Sequence, residues 1–522
     1  MKRKKYLLSS IVIFVLLLSL AFSTMAADEK ILNVGFSSAL GTMDPHTTTY
    51  TDVSAVRYHI FEGLVRFKSW GEEKGVVEPA LAESWEVSDD QLTYVFKIRE
   101  GVKFHDGSEL TAQVVKDNFD RVMKSDWDSA IKAYLKDIEK VEVKENTVSI
   151  TLNTPSDTFL NVLGAPTGLT MVSSEALEKY GKEYGGINNA LVGTGPFKFV
   201  ERTEGEKLVI ERFDDYWKDD KPKVDKIVFY IVPESGTRLS MLQSGDLDII
   251  IRLTPDDAKY LEKDERINVI KMPTNRVLFM GINTAHEPFN NVKLRKAMNY
   301  AVNKKEIIDS LLSGAGRECD APIAPDTLNY SSIMTYDYNP EKAKELMAEA
   351  GYPEGEGLRP IEMLSIRGRY PMDYLVSQAV MNYLESVGFK VNLKIEGDLP
   401  VYLDILGDPK RRPDMSLLGW AVSTMDAYSA MYQTLHPDRA YLFANNSTYN
   451  NPIFGKTLDE AQSTKDPEVK KELFKEAMQI VMEDAPWIFL YFQDIFIAVA
   501  ENVEGVELGI TEHLVLYDVD KK

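Results

Sequence analysis

Cysteine is almost missing from this chain: Cys319 stands alone in 522 residues. A disulfide framework, and any zinc site built on two or more thiolates, are therefore excluded. Histidine is nearly as scarce. His46, His59, His105, His286, His436 and His513 form no pair with metal-ligand spacing, so no polyhistidine metal centre is expected. Basic residues are outnumbered, 60 against 81 acidic, for a formal net charge of −21. A surface that tracks nucleic-acid phosphates needs the opposite sign, so no nucleic-acid partner is expected. Catalytic signatures are missing as well. There is no G-x-S-x-G elbow, P-loop, H-E-x-x-H or C-x-x-C, and His286-Glu287 runs straight into Pro288. Carboxylate pairs are so common in an acidic chain that none singles out a glycosidase. The reading is a non-enzyme without a cofactor.

What is present is the composition of a folded protein, 44% hydrophobic and 27% charged. The length corresponds to about three to four domain-sized units. One apolar run stands out. Lys2, Arg3, Lys4 and Lys5 precede Tyr6 to Phe22, and Thr24-Met25-Ala26 offers small residues at −3 and −1 of a cleavage site before Ala27. This is the layout of a secretory signal over residues 1–26, with an uncleaved anchor as the alternative. No Cys follows the run, so export to a periplasm without a lipid anchor is expected. Removing residues 1–26 takes away four basic side chains and no acidic one, leaving −25.

The first half reads as strands with few helices. Ile31, Val34 and Phe36 mark a strand. Residues 85–98 and 141–152 alternate, and Thr111 opens a helix carrying Val115, Phe119 and Val122. Strands follow at 197–200, 207–212, 226–231 and 247–251. The second half has another grammar. Leu294 to Leu312 forms one helical stripe. Strands at 361–366, 391–395 and 415–418 are separated by helices, which predicts a parallel α/β sheet with right-handed crossovers. Asp466-Pro467 reads as an N-cap with Pro at the first helical position. Residues 487–492 read as a late buried strand, and the Asn446-Ser447-Thr448 sequon as loop.

Ligands of open α/β sheets bind outside the carboxyl ends of the strands. Three such ends carry unusual loops: Ser37, Ser38 and Leu40; Arg367-Gly368-Arg369; and Trp420 with Ser423, Thr424 and Asp426. Together they suit a zwitterionic ligand, because Arg grips a carboxylate bidentately and Asp takes an ammonium. Each also has a plainer reading. The arginines could be surface charges, Trp420 core, Asp426 a helix cap, and the serines turn residues.

Many ordered stretches resemble one family. They include Pro79 to Trp85, Tyr94 to Arg99, Gly101 to Gly107, Phe61-Glu62-Gly63-Leu64-Val65, Gly193 to Phe197, Asp215-Tyr216-Trp217 and Gly245 to Asp248. The chain resembles the peptide/nickel-binding solute receptors of ABC importers, family 5, over essentially its whole mature length. The resemblance implies a two-lobed periplasmic-binding-protein fold (class II, cluster C). Lobe one would be residues 27–273 plus 487–522, with a subdomain inserted at about 63–185, and lobe two would be 274–486. It implies a monomer that captures a di- or oligopeptide or glutathione-like ligand and delivers it to a membrane permease with cytoplasmic ATPases. Dipeptide receptors hold the ligand carboxylate with an Arg at the place of Arg367 or Arg369. They hold the amine with an Asp three residues after the tryptophan, where this chain has Ser423. The later Asp426-Ala427 is closer to the glutathione-type branch. His436 keeps a nickel-chelate receptor as the alternative, and an exported hydrolase is the competing class.

Overall fold

The computed structural model describes residues 29–37, 40–47, 51–71, 74–124, 130–186 and 189–522. The expected targeting segment 1–26 and Ser38 lie outside the described residues.

An eleven-stranded mixed sheet runs through the molecule. At one end Val391–Glu396 and Met415–Trp420 flank Ile361–Ile366 in parallel, as the alternation of strands and helices predicts. The connecting helix Asp373–Ser386 buries Val376, Val380 and Leu384 at helical spacing. At the other end Ile31–Phe36 lies parallel between Lys226–Ile231 and Ile249–Ile251. Lys207–Arg212 and Phe197–Thr203 continue that end in antiparallel fashion.

Two long strands join the ends. Ile267–Ile282 pairs with Met415–Trp420 on one side and with Trp487–Ala500 on the other, and the latter reaches Ile249–Ile251. Their register breaks between Pro273 and Val277. Proline has no N–H to give to the ladder. The bulged residues turn elsewhere: the Thr274 hydroxyl donates to the Gln493 carbonyl (2.7 Å) and the Asn275 N–H to the Ile510 carbonyl (2.9 Å). An apolar core lies on each side of this crossing, one around Phe36, Phe96, Phe119 and Phe229, the other around Phe279, Met298, Val380 and Phe489.

A separate four-stranded antiparallel sheet comprises Ala82–Val87, Thr93–Ile98, Thr147–Leu152 and Ile138–Lys144. The stretches 85–98 and 141–152 each alternate in sequence as one strand. In the structure each doubles back, at Gln91 (φ 60°) and Glu145 (φ 52°). Alternation survives because the paired strands bury the same face. The stripe from Leu294 to Leu312 breaks likewise: Val292–Ala301 ends, and the Asn303 side chain caps a new turn by accepting from the Glu306 N–H. Helices Ala112–Met123 and Pro467–Asp484 are capped by Thr111 and Asp466. The sequon lies in a loop, as read, but the loop is packed inside. Asn446 is buried and donates to the Ser416 carbonyl (3.0 Å).

Candidate ligand-binding site

A cavity lies between the two halves. Its floor is the carboxyl ends of Ile361–Ile366 and Met415–Trp420, through Ile366, Leu418, Gly419 and Trp420, with Arg369, Tyr370, Tyr402 and Phe443 beside them. Arg276 enters from the bulge of the crossing strand. Thr51, Tyr134, Thr167, Thr511 and His513 close it from the other half. The halves touch around it. Ser423 shares a hydrogen bond with the Thr167 hydroxyl, Asn161 donates to the Thr424 carbonyl (3.3 Å), Gln462 to the Ser156 hydroxyl (3.1 Å), and Lys470 pairs with Asp157 (2.8 Å).

Behind the wall runs a chain of buried charges. Arg252 pairs with Asp52 and, at 3.2 Å, with Glu512. Glu512 also pairs with Arg276, whose guanidinium donates to the Gly419 carbonyl (2.9 Å) and the Thr51 hydroxyl (3.3 Å). Arg369 reaches Asp52 at 3.5 Å. Three guanidiniums thus share two carboxylates. Burial lowers the Arg369 pKa, and the neighbouring Arg252 pushes the same way. An anion arriving beside Arg369 relieves both. His513 is pushed down to about 3 by burial and lines the cavity as neutral imidazole.

The sequence-derived candidates separate. Arg369, Trp420 and Ser423 line the cavity. Arg367 is exposed and stacks on Tyr374, 4.5 Å from the ring centre. Asp426 is buried and caps helix Ala427–Leu435, accepting from the Ser429 N–H (2.8 Å). Thr424 is fully buried next to it. Leu40 is buried with its carbonyl taken by Arg202, and Ser37 follows the first strand, which ends at Phe36; both lie off the cavity lining. His436 lines a different groove with Asp459. No group of three or more metal-ligating side chains occurs among the described residues. Sequence reasoning missed Arg276, Glu512, Asp52 and Tyr134.

Gly419 fixes the shape of the floor. A Cβ there would stand 2.8 Å from the Tyr370 ring, whose hydroxyl accepts from the Gly419 N–H (2.9 Å). Gly419→Ala is expected to displace that ring and destabilise the protein by about 1–3 kcal/mol, read by urea denaturation.

Residues 76–442 match the family described as bacterial extracellular solute-binding proteins, family 5 Middle. The chain belongs to this family. This solute-binding protein is 32% identical over 495 residues to the glutathione-binding protein GsiB of Salmonella paratyphi A, across 93% of each chain. It is 33% identical over 489 residues to GsiB of Pectobacterium atrosepticum, across 92% of this chain and 91% of that one. Among solved structures it matches the periplasmic binding protein DppA from Helicobacter pylori in complex with the peptide STSA. The TM-score is 0.83 at 26% identity, with 94% of this chain and 98% of that one covered. The two-lobed α/β architecture read from the family resemblance is thus the architecture of the molecule. No helix among the described residues is long and apolar enough to cross a membrane.

Proposed function

We propose that the protein is the periplasmic receptor of an ABC importer, closing on a short peptide or glutathione-like ligand and handing it to the membrane permease. The observation that carries this reading is the cavity enclosed by both halves, with the Arg369 and Arg276 guanidiniums on its wall and an excess of buried positive charge behind it. A concave site closed by two halves suits a small ligand rather than a protein. Arg369 anchors the ligand carboxylate, with Trp420 and Ser423 shaping the wall. The names of the GsiB relatives and the peptide held by DppA support the ligand class. Lobe one is residues 27–273 with 487–522 and carries a subdomain inserted at about 63–185, and lobe two is residues 274–486. The hinge lies where the crossing strands lose register, at Pro273–Arg276. The mature protein is a soluble monomer freed of residues 1–26.

Binding without chemistry is expected. The lone thiol, Cys319, is buried and its pKa is raised well above the usual value by burial, which leaves it unreactive. Calorimetry on the purified mature chain with glutathione and a panel of di- and tripeptides should show one saturable site. Mass spectrometry of the same mixtures should show no product. Turnover of any peptide would overturn the reading.

A further inference from the structure

We propose that this receptor selects ligands whose carboxylate-bearing residue carries a bulky apolar side chain, seated against Leu399, Trp420 and Phe443. The proposal rests on the reading that the ligand is a short peptide whose carboxylate Arg369 holds.

The two halves line the cavity with different chemistry. One contributes Thr51, Tyr134, Thr167, Thr511 and His513, each with a polar group. The other contributes mostly carbon: Ile366, Leu399, Tyr402, Leu403, Leu418 and Phe443. Hydroxyls on this second side are already engaged. The Tyr402 hydroxyl donates to the Leu417 carbonyl. The Tyr370 hydroxyl donates to the Gly419 carbonyl (3.2 Å) and accepts from the Gly419 N–H (2.9 Å). Ser423 is bound to Thr167. Apart from Arg276 on the crossing strand, the Arg369 guanidinium and the unpartnered Trp420 indole N–H are the side-chain groups left there to meet polar ligand atoms, among the described residues.

Burial divides this carbon surface in two. Ile366, Tyr402 and Leu418 are buried. Leu399, Trp420 and Phe443 pack on the same core yet stay half-buried. Trp420 and Phe443 form a corner, their rings 6.4 Å apart with 51° between the planes, and Leu399 opens the helix Leu399–Gly407. Apolar surface left on the wall of a cavity is surface that ligand carbon can cover, with a gain that grows with the area covered. Arg369 stands three residues past Ile366, at the end of strand Ile361–Ile366. A carboxylate on its guanidinium therefore brings the residue that bears it to this wall. A basic side chain there would be desolvated against carbon, with no carboxylate on the cavity lining among the described residues. An acidic one would find Arg276, already paired with Glu512. Glycine, the terminal residue of glutathione, would leave the wall uncovered.

Calorimetry on the mature protein tests this with alanyl-alanyl-leucine, its amide, alanyl-alanyl-glycine, alanyl-alanyl-glutamate and leucyl-alanyl-glycine. Wild type should bind alanyl-alanyl-leucine at least about tenfold more tightly than the other three acids, the usual gain from burying a leucine side chain. Leucyl-alanyl-glycine carries that side chain at the wrong end. Leu399→Ser should narrow the leucine-over-glycine preference at least about threefold, because a hydroxymethyl group covers less of the ligand's carbon. The wild-type comparisons need no variant, so a misfolded Leu399→Ser does not shield the proposal. Equal wild-type affinity for leucine and glycine at the carboxyl end, for leucine and glutamate there, or for leucine at either end would overturn it and leave the peptide reading standing. An unchanged preference in a folded Leu399→Ser would do the same. No binding of any of the five would overturn it together with the peptide reading. Preference for leucine at the carboxyl end with indifference to amidation would uphold the apolar wall and remove only the Arg369 anchor.

Discussion

Glu512→Gln is expected to destabilise the protein by about 3–5 kcal/mol, the usual consequence of removing one partner from a buried ion pair. Glu512 is buried between Arg252 and Arg276, so the neutral amide leaves two guanidiniums in a wall that excludes water. Arg252 retains Asp52, but Arg276 retains uncharged partners, the Gly419 carbonyl, the Thr51 hydroxyl and the Tyr370 ring face. Burial alone would raise the Glu512 carboxyl; Arg276 and Arg252 overcome it and hold it at about 2. An unfolded glutamate titrates at about 4.3. The folded pKa is the lower one, so this stabilisation is complete above that value and disappears as pH falls toward 2. Urea denaturation of wild type and variant should therefore show a wide gap at pH 7 that narrows below about pH 4. The exposed Glu501 provides the control, with Glu501→Gln expected within about 0.5 kcal/mol of wild type. A Glu512→Gln protein as stable as wild type at pH 7 would show that the charge chain contributes no stability.

The parts of the fold legible in sequence are those where one periodicity ran uninterrupted. The strand at 361–366 was readable as a short apolar run, buried at nearly every position, the helix after it by its regular buried face, and the strand at 391–396 by the alternation of Val391, Leu393 and Ile395, of which only Val391 is buried. Strand Ile267–Ile282 was not readable. Its middle reads Pro273-Thr274-Asn275-Arg276, which looks like a turn, yet these residues are a bulge between two long pairings. The site followed the same rule. Arg369 and Trp420 could be proposed because they stand just past strand ends. Arg276 was hidden within the unrecognised strand. Asp52 and Glu512 lie 460 positions apart in sequence and meet only through Arg252. No local spacing announces a charge chain assembled from five separate segments. Nor does a sequence show whether an aspartate before a helix faces a ligand or the helix: Asp426 could be read both ways, and its carboxylate accepts from the Ser429 N–H.

Arg369→Ala is expected to weaken binding of a carboxylate ligand at least tenfold, whereas Arg367→Ala should change it by less than about twofold. Two residues apart in one loop, the two arginines are equivalent in sequence. Gly368 separates them. Its φ of 87° puts a left-handed turn between them, and only Arg369 reaches the cavity wall, while Arg367 lies in solvent over Tyr374. The loss should appear in binding more than in folding, because Asp52 keeps its pairing with Arg252 when Arg369 is gone. Arg369→Lys should not restore affinity: an ammonium is a point charge and lacks the planar fork that meets both oxygens of a carboxylate. Amidating the ligand's carboxylate should weaken wild type as much as the mutation does, and should weaken Arg369→Ala little further, since each change removes the same contact. Calorimetry on wild type and the three variants, with glutathione or trialanine and the corresponding amide, gives all of these comparisons. Undiminished binding by Arg369→Ala, or additive losses from mutation and amidation, would place the carboxylate elsewhere, with Arg276 the remaining guanidinium on the cavity wall to hold it.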